Sequence, residues 1–338
     1  MTVKERAQRI INFINPVDPL PLLDGEFYWD LTYNRWKTEG LDVPYKDIRS
    51  YFGTENSDGV LLWSISEAAF SKKQPGYYGM PIIKNEADYD SLLPDLYKDE
   101  LVSQMLENMK SYKDSYDRGD NVVSIVFHGF FWHSRDLFGI EPQFYAFYDY
   151  PELIRRMNRN LCDFVKRALV QAFELMVPFN VIISEDMSYK TGPMLSKAMF
   201  DDFIKPYYLE LAEITRQAGT KLIVDSDGNV HEMIPWMIES GVDGMAPFER
   251  NAGNDICKIR EQYPDFIMGG GYDKLVMNKG EAAIRAEFER ILPVMRSGGY
   301  FPGVDHQTPP SVSFSDYKLW ISVFREYAAR AVKEWNRP

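Results

Sequence analysis

The chain has 338 residues, 45% of them hydrophobic, and a net charge of −12. That length suits one domain over residues 1–338, and the negative charge repels nucleic acid and anionic membranes, so neither is expected as a partner. No run of about 18 uncharged apolar residues occurs, so we expect a soluble cytoplasmic protein. Cys162 and Cys257 are too few for a disulfide framework or a cysteine-rich metal site, and we expect both to be buried.

The amino-terminal part of the chain predicts helical additions and a first strand. Residues 2–14 have the apolar spacing of a helix, and residues 19–23 are extended and predict the first strand. Phe27, Tyr28 and Trp29 open an aromatic group at residues 26–39. Core packing is the expected role for most of the group, while Tyr28 and Trp29 are candidates for the edge of a pocket.

Residues 54–120 have a weaker pattern, with SKKQPGYYGMP and YKDSYDRGD as the clearest loops. We expect an insertion here, packed over the mouth of the domain. Long irregular segments in compact domains are often lids, so the insertion either covers a pocket or is a passive surface excursion.

From residue 121 onward, six short apolar runs each end in Gly, Asp, Glu or His before a helical segment: VVSIVF, NVIIS, KLIV, DGMAPF, DFIMGGG and YFPGV. Strand, loop and helix units in series require parallel pairing, because each helix supplies the crossover. The pattern predicts an α/β fold, a (β/α)8 TIM barrel with amino-terminal helical additions. All strands of such a barrel open on one face, so the polar residues at their ends are expected to form a site there.

Two acidic segments follow predicted strands. In SEDMSYK, Glu185, Asp186 and Lys190 are placed to hold a substrate hydroxyl or carboxylate, with a solvated loop ion pair as the alternative. In VDSDGN, Asp225 and Asp227 are one residue apart, so they either bind a cation or provide a base. Helix capping by Asp227 or Asn229 is the alternative in the second segment.

The remaining candidates come from other strand ends. VDHQTPP places Asp305 beside His306, whose imidazole can act as acid, base or ligand, and His128 ends VVSIVF. Glu249 and Tyr272 follow two further strands as substrate-binding candidates. We expect His133 in a loop and His231 on a helix surface, and assign neither a function. Residues 269–271 lack the spacing of phosphate-binding loops.

These segments resemble the uroporphyrinogen decarboxylase superfamily, which includes cobalamin-dependent methyltransferases. The resemblance spans ERAQRIINFINPVDPLP, SEDMSYKTGPMLSKAMFDDFIKPYY, VDSDGNVHEMIPWMIESGVDGMAPFE, GGGYDK and GGYFPGVDHQTPP. It implies a (β/α)8 barrel with its pocket at the carboxyl-terminal mouth. The decarboxylases carry an arginine-rich stretch near the first strand, where this chain has PLPLLDGEFYWDL without arginine. Decarboxylation of a porphyrinogen in haem biosynthesis is therefore the alternative function.

The methyltransferase branch usually holds zinc through His-x-Cys and a distant Cys, where this chain has Asp225, Asp227 and Asp305. Both soft ligands are absent. The resemblance leaves three alternatives: these acids bind a harder divalent metal, they keep zinc together with His306, or the site uses no metal.

The resemblance favours an enzyme that transfers a methyl group from a small methoxylated or methylamine-type donor to a corrinoid carried by a partner protein. Such cleavage needs an acid on the departing heteroatom. Asp225, Asp227, Asp305 and His306 are expected to supply it. The residues expected to orient or surround the substrate are Glu185, Asp186, Lys190, Glu249, Tyr272, His128 and Trp29. A non-catalytic binding or accessory barrel is the third alternative.

Overall fold

The computed structural model describes residues 1–23, 28–66, 70 and 79–337. The helices in this part of the chain are α1 (Val3–Ile11), α2 (Asp30–Thr38), α3 (Ile48–Phe52), α4 (Glu86–Leu92), α5 (Asp99–Arg118), α6 (Phe130–Phe138), α7 (Pro142–Asp149), α8 (Pro151–Leu175), α9 (Lys197–Phe203), α10 (Lys205–Ala218), α11 (Ile234–Glu239), α12 (Ile256–Gln262), α13 (Glu281–Met295) and α14 (Phe314–Lys333). The strands are β1 (Asn56–Leu62), β2 (Asn121–His128), β3 (Asn180–Ser184), β4 (Ser188–Tyr189), β5 (Gly192–Pro193), β6 (Lys221–Asp225), β7 (Gly244–Ala246), β8 (Ile267–Gly269) and β9 (Tyr300–Phe301). None of these helices combines the length and the hydropathy that crossing a bilayer requires.

The main sheet contains seven parallel strands in the order β1-β2-β3-β6-β7-β8-β9. The α/β arrangement and the parallel pairing are therefore confirmed. The predicted first strand at residues 19–23 is absent. These residues are joined to the start of β1 by a backbone hydrogen bond from the Glu55 N–H to the Leu22 carbonyl, at 3.0 Å. Closure of the sheet into an eight-stranded ring stays a prediction.

The predicted insertion at residues 54–120 is wrong in its described part. It contains β1, which pairs with β2 along its whole length, and α5, which packs on both strands. β1 could not be predicted from hydrophobicity because its first half, NSDG, is polar. In the structure Asp58 accepts hydrogen bonds from Arg49 and Asn121. Residues 67–69 and 71–78, with most of SKKQPGYYGMP, lie outside the described residues, so the lid stays a prediction.

The two faces of the sheet bury different sets of side chains. One face carries a small cluster in which α1 packs Ala7 and Ile11 against Ile223 of β6 and Ile267 of β8. A capping box at Thr2 fixes the start of α1. The other face carries the larger cluster, shared with the helices that cover the sheet.

Strand register places a polar row above the small cluster. His128, Ser184 and Asp225 are Cα partners across β2, β3 and β6, and Ala246 of β7 continues the row. Residues two apart on a strand share a face. Since Ile223 belongs to the small cluster, Asp225 lies above it at the carboxyl-terminal end of the strands.

Glu185 follows Ser184 and therefore points to the opposite face, where it caps α6. Its carboxylate accepts from the Phe130 and Phe131 N–H groups at 2.8 Å and from the Trp132 N–H at 3.1 Å. The Tyr208 hydroxyl also donates to it, at 2.8 Å. Negative charge is favoured at a helix amino terminus. The side chain is fully buried by these contacts, and its predicted role in orienting the substrate stays a prediction.

This contact explains why α6 is preceded by glycine. A Cβ at Gly129 would lie 2.1 Å from Glu185 Oε1. Burial raises the pKa of Glu185 to about 7, and the hydrogen bonds from Tyr208 and the helix amides oppose that shift. Glu185 thus fixes the position of α6, which carries side chains of the site.

We expect Glu185→Gln to lower the free energy of unfolding by about 2–4 kcal/mol. The amide replaces one of the two carboxylate oxygens by an NH2 group, so the two buried donors bound to that oxygen lose their acceptor. Urea unfolding followed by circular dichroism measures the change. Glu152→Gln is the matched control, since Glu152 is an exposed acid in the first turn of α8. Equal stability of wild type and the Glu185 variant would contradict the capping role.

Candidate active site

Three carboxylates meet at the ends of β3 and β6, and we call Asp186, Asp225 and Asp227 the carboxylate cluster. The Asp227 N–H donates to Asp186 Oδ1 at 3.3 Å. The Ser184 hydroxyl donates to Asp225 Oδ2 at 3.1 Å. The structure therefore brings together three of the acids predicted for the site.

Crowding of these acids changes their protonation. Burial raises the pKa of Asp225 to about 7, and the charges of Asp186 and Asp227 act in the same direction. Burial and the charge of Asp227 also raise the pKa of Asp186. A carboxyl group that holds its proton near neutral pH can serve as a general acid.

His306 joins the cluster through Asp227. Its Nε2 lies 3.3 Å from Asp227 Oδ2. This hydrogen bond raises the pKa of His306, while burial opposes the shift, so the imidazolium form is favoured. Asn229, and not Asp227, stabilises the turn after β6: Asn229 Oδ1 accepts a hydrogen bond from the His231 N–H at 3.2 Å. Asp227 is thus available to the site.

Asp305 does not belong to the carboxylate cluster, contrary to prediction. It is fully buried and accepts from the Arg250 N–H at 2.9 Å and from the Lys274 N–H at 3.4 Å. The Lys274 ammonium lies 3.6 Å away. Asp305 therefore ties together the loops after β7 and β8. Burial raises its pKa, and its predicted acid role stays a prediction.

The predicted metal set of Asp225, Asp227 and Asp305 does not fit a metal ion. Asp305 accepts hydrogen bonds from the backbone of two loops. Within the described ranges, no group of three or more His, Cys, Asp or Glu side chains is arranged to hold a metal ion.

Tyr272 and Trp29 are also placed differently from the prediction. Tyr272 is fully buried, its hydroxyl donates to the Ile284 carbonyl at 3.2 Å, and its ring lies 4.7 Å from that of Phe288. It packs in the core, and its predicted role in orienting a substrate stays a prediction. Trp29 is 46% exposed at the start of α2. Tyr28 is buried, with its hydroxyl 2.8 Å from that of Tyr317, and Phe27 lies outside the described residues.

Lys190 and Glu249 line a cavity of about 320 Å³ together with Asp227 and Gly228. Glu249 Oε2 accepts from the Gly228 N–H at 3.0 Å, and its Oε1 lies 3.8 Å from Lys274 Nζ. Both side chains therefore lie near Asp227, and their predicted role in binding the substrate stays a prediction. Lys274 was not among the predicted site residues, although it ends the GGGYDK segment.

His128 forms one wall of the mouth with α6. Its Nδ1 lies 2.6 Å from Asp136 Oδ2, and Trp132 Nε1 donates to Asp136 Oδ1 at 3.1 Å. The His128 ring lies 4.7 Å from the Trp132 ring and 5.3 Å from the Trp63 ring. Asp136 and Trp132 were missed because their approach to His128 depends on how α6 docks.

His133 is not a loop residue, contrary to prediction. It lies in α6 and is fully buried, with Nε2 2.8 Å from the Tyr97 hydroxyl and Nδ1 3.3 Å from Ser64 Oγ. Burial lowers its pKa to about 4, so the ring is neutral. Its role is structural.

A second cavity, of about 550 Å³, lies beside the carboxylate cluster. Its lining includes Trp132, Arg135, Gln143, Phe144, Asp186 and Met194. Arg135 Nη2 donates to the Asp186 carbonyl at 2.6 Å, which fixes the loop after β3 to α6. We call this space the large cavity; Asp186 connects it to Asp225 and Asp227.

Comparisons with known proteins agree with this geometry. A methyltransferase from Methanosarcina mazei has a similar structure, with a TM-score of 0.63, 16% sequence identity and coverage of 97% of this chain and 99% of that one. At this identity the similarity shows the fold alone. No curated protein matches the sequence. The sequence model of the family described as "Uroporphyrinogen decarboxylase (URO-D)" matches residues 68–327, well over half of the chain. The chain therefore belongs to the uroporphyrinogen decarboxylase (URO-D) family.

Proposed function

We propose that this protein is a methyltransferase that moves a methyl group from a small methoxylated or methylamine-type compound to a corrinoid carried by a partner protein. The observation that carries the proposal is the crowding of Asp225 by Asp186 and Asp227 at the mouth of the sheet, where burial and these charges raise the pKa of Asp225. Membership of the URO-D family and the fold shared with a methyltransferase support it.

Methyl transfer requires one proton, delivered to the heteroatom that leaves the methyl group. When the bond between the methyl carbon and the donor's oxygen or nitrogen breaks, the electron pair stays on that heteroatom, which must be protonated to leave. Protonated Asp225 supplies this proton and becomes a carboxylate. A reduced corrinoid, when bound, supplies the nucleophile that accepts the methyl group.

The neighbours of Asp225 support this role. The Ser184 hydroxyl holds Asp225 Oδ2 in place, and the negative charges of Asp186 and Asp227 keep the proton on Asp225 until the heteroatom takes it. In its imidazolium form His306, bonded to Asp227, favours the carboxylate left after transfer. His128, between Trp63 and Trp132, forms an aromatic wall on the same face of the sheet.

Electrostatics disfavour a porphyrinogen decarboxylase. A polycarboxylate substrate needs cationic side chains that are free to bind it. Arg135, at the large cavity, donates to the Asp186 carbonyl, and Lys274 lies beside Glu249 and Asp305. Three carboxylates at the same mouth would repel such a substrate.

The function is tested by mixing the protein with reduced cobalamin and a panel of methyl donors that includes methoxybenzene, methoxybenzoate and trimethylamine. We expect the cobalt absorbance to change with at least one donor. No change with any donor, together with carbon dioxide release from uroporphyrinogen, would contradict the proposal and favour the decarboxylase.

We expect Asp225→Asn to lower the methyl-transfer rate by about 100-fold or more, because an amide cannot donate the proton. The fold should be retained, since the amide oxygen still accepts from Ser184 and the variant removes one of three crowded charges. Rates with the best donor and thermal unfolding together measure both effects. Asp120→Asn is the matched control, because Asp120 is exposed just before β2, at the opposite end of the strand from the site. An unchanged rate in the Asp225 variant would remove Asp225 from the mechanism.

The rate should also depend on pH in one direction. Asp225 acts in its protonated form, and its pKa is raised to about 7, so the methyl-transfer rate should be highest below pH 7 and fall as the pH rises through that value. The measurement is the rate at saturating donor across pH 5.5 to 9. A rate that rises over this range would assign Asp225 the role of a base instead.

A further inference from the structure

We propose that Arg135 is a positioning residue of the carboxylate cluster: its hydrogen bond to the Asp186 carbonyl holds Asp186 in a left-handed backbone conformation, which keeps the Asp186 carboxylate within the cluster. The geometry of this contact stands independently of the proposed function, and its consequence for catalysis rests on that function. The inference depends on the backbone of Asp186, on the contacts of Arg135, and on the hydrogen bonds between the loops after β3 and β6.

The backbone of Asp186 has an uncommon conformation. Its φ is 42°, in the left-handed region, which residues with a Cβ rarely adopt. Aspartate and asparagine enter this region more readily than other non-glycine residues, because their short polar side chains form local hydrogen bonds. Asp186 forms such a bond, since its Oδ1 accepts from the Asp227 N–H at 3.3 Å. A conformation of this kind persists only where surrounding contacts hold it.

Arg135 provides such a contact. Its Nη2 donates to the Asp186 carbonyl at 2.6 Å, and its Nη1 lies 3.8 Å from Asp186 Oδ2. The guanidinium carbon lies 5.2 Å from the centre of the Trp132 ring and 5.4 Å from that of Phe131, so aromatic residues of α6 fix its position. Only 11% of the Arg135 side chain is exposed, so water competes little for these contacts. Arg135 therefore restrains both the backbone and the side chain of Asp186.

Helix α6 holds two adjacent acids with two different groups. The Phe130 N–H in its first turn donates to Glu185 at 2.8 Å, whereas Arg135, in its last turn, donates to the Asp186 carbonyl. Because both contacts come from one helix, the backbone between the two acids cannot turn without breaking one of them. Glu185 also accepts from other amides of α6 and from Tyr208, so removal of the Arg135 contact releases Asp186 alone.

Two hydrogen bonds join the turn at Asp186 to the loop after β6. The Glu185 N–H donates to the Asp225 carbonyl at 2.9 Å, which is a contact between backbones. The Asp227 N–H donates to the Asp186 carboxylate, so this second bond requires the side chain to stay where the left-handed backbone places it. If Asp186 turns away, the Asp227 amide loses its acceptor. Asp225 then also loses a neighbouring negative charge that helps to keep its proton.

Hydrogen–deuterium exchange of the full chain, resolved to single amides by mass spectrometry, tests the geometry without a methyl donor or a corrinoid. Arg135→Met keeps an unbranched apolar side chain against the rings of α6 but donates no hydrogen bond. We expect it to speed exchange of the Asp227 amide by about tenfold or more, because that amide loses its acceptor. The Ile223 amide, in the centre of β6, should exchange as in wild type. Arg216→Met, at an exposed position in α10, is the matched control and should leave Asp227 exchange unchanged.

A second pair of variants keeps the test decisive if Arg135→Met does not fold. Asp186→Gly and Asp186→Ala both remove the carboxylate, and they differ in how readily the backbone adopts a positive φ. We expect the glycine variant to unfold at a higher temperature than the alanine variant, because alanine is strained in the left-handed region.

The consequence for catalysis is measured with a donor that the wild type demethylates. We expect Arg135→Met to lower kcat at pH 7.5 by about fivefold or more with little change in KM, because Arg135 acts on Asp225 through Asp186 and not on the donor. Arg216→Met should leave both constants unchanged.

The positioning role is overturned if the Asp227 amide of Arg135→Met exchanges as in wild type, if Asp186→Gly unfolds at the same temperature as Asp186→Ala or a lower one, or if kcat is unchanged in Arg135→Met. Faster Asp227 exchange in Arg135→Met, without methyl transfer by wild type from any donor, would support the contact and refute the proposed function. Methyl transfer by wild type together with unchanged exchange in the variant would do the reverse.

Discussion

The close approach of carboxylates at the ends of neighbouring parallel strands is the constraint on which the site depends. Asp225 and Asp186 leave β6 and β3 side by side, and Asp227 returns toward them across a hydrogen bond of 3.3 Å. Like charges this close, partly removed from water, cannot all ionise at neutral pH. Asp225 is therefore expected to keep its proton at the carboxyl-terminal end of the strands.

The alternation of side chains along a strand divides the acids into chemical and structural groups. Ser184 and Asp225 share the face above the small cluster, whereas Glu185 points to the other face and caps α6. That cap holds the helix that supplies Trp132, Arg135 and Asp136 to the mouth. Asp305 fixes two loops in a comparable way. The structural acids thus position the surroundings of the acids that we propose for chemistry.

Much of the fold could be predicted from the sequence because its buried strands are continuous apolar runs. The strands ending at His128, Ser184 and Asp225 were predictable in this way. The polar start hid β1. In the site, Glu185 and Asp186 are adjacent and chemically alike. Their roles differ because their side chains lie on different sides of the sheet, which residue type alone does not indicate. The side chains that α6 contributes could not be predicted from hydrophobic periodicity, because the position of α6 is set by tertiary contacts.

The proposed mechanism requires that Asp225 carries a proton near neutral pH. Infrared difference spectroscopy between pH 5.5 and pH 9 measures this directly, by comparing the protonated-carboxyl band of wild type with that of Asp225→Asn. We expect a band that is lost with a midpoint near pH 7 in wild type and is missing in the variant. The same band in both proteins, or titration of Asp225 near its ordinary value of about 3.9, would contradict it.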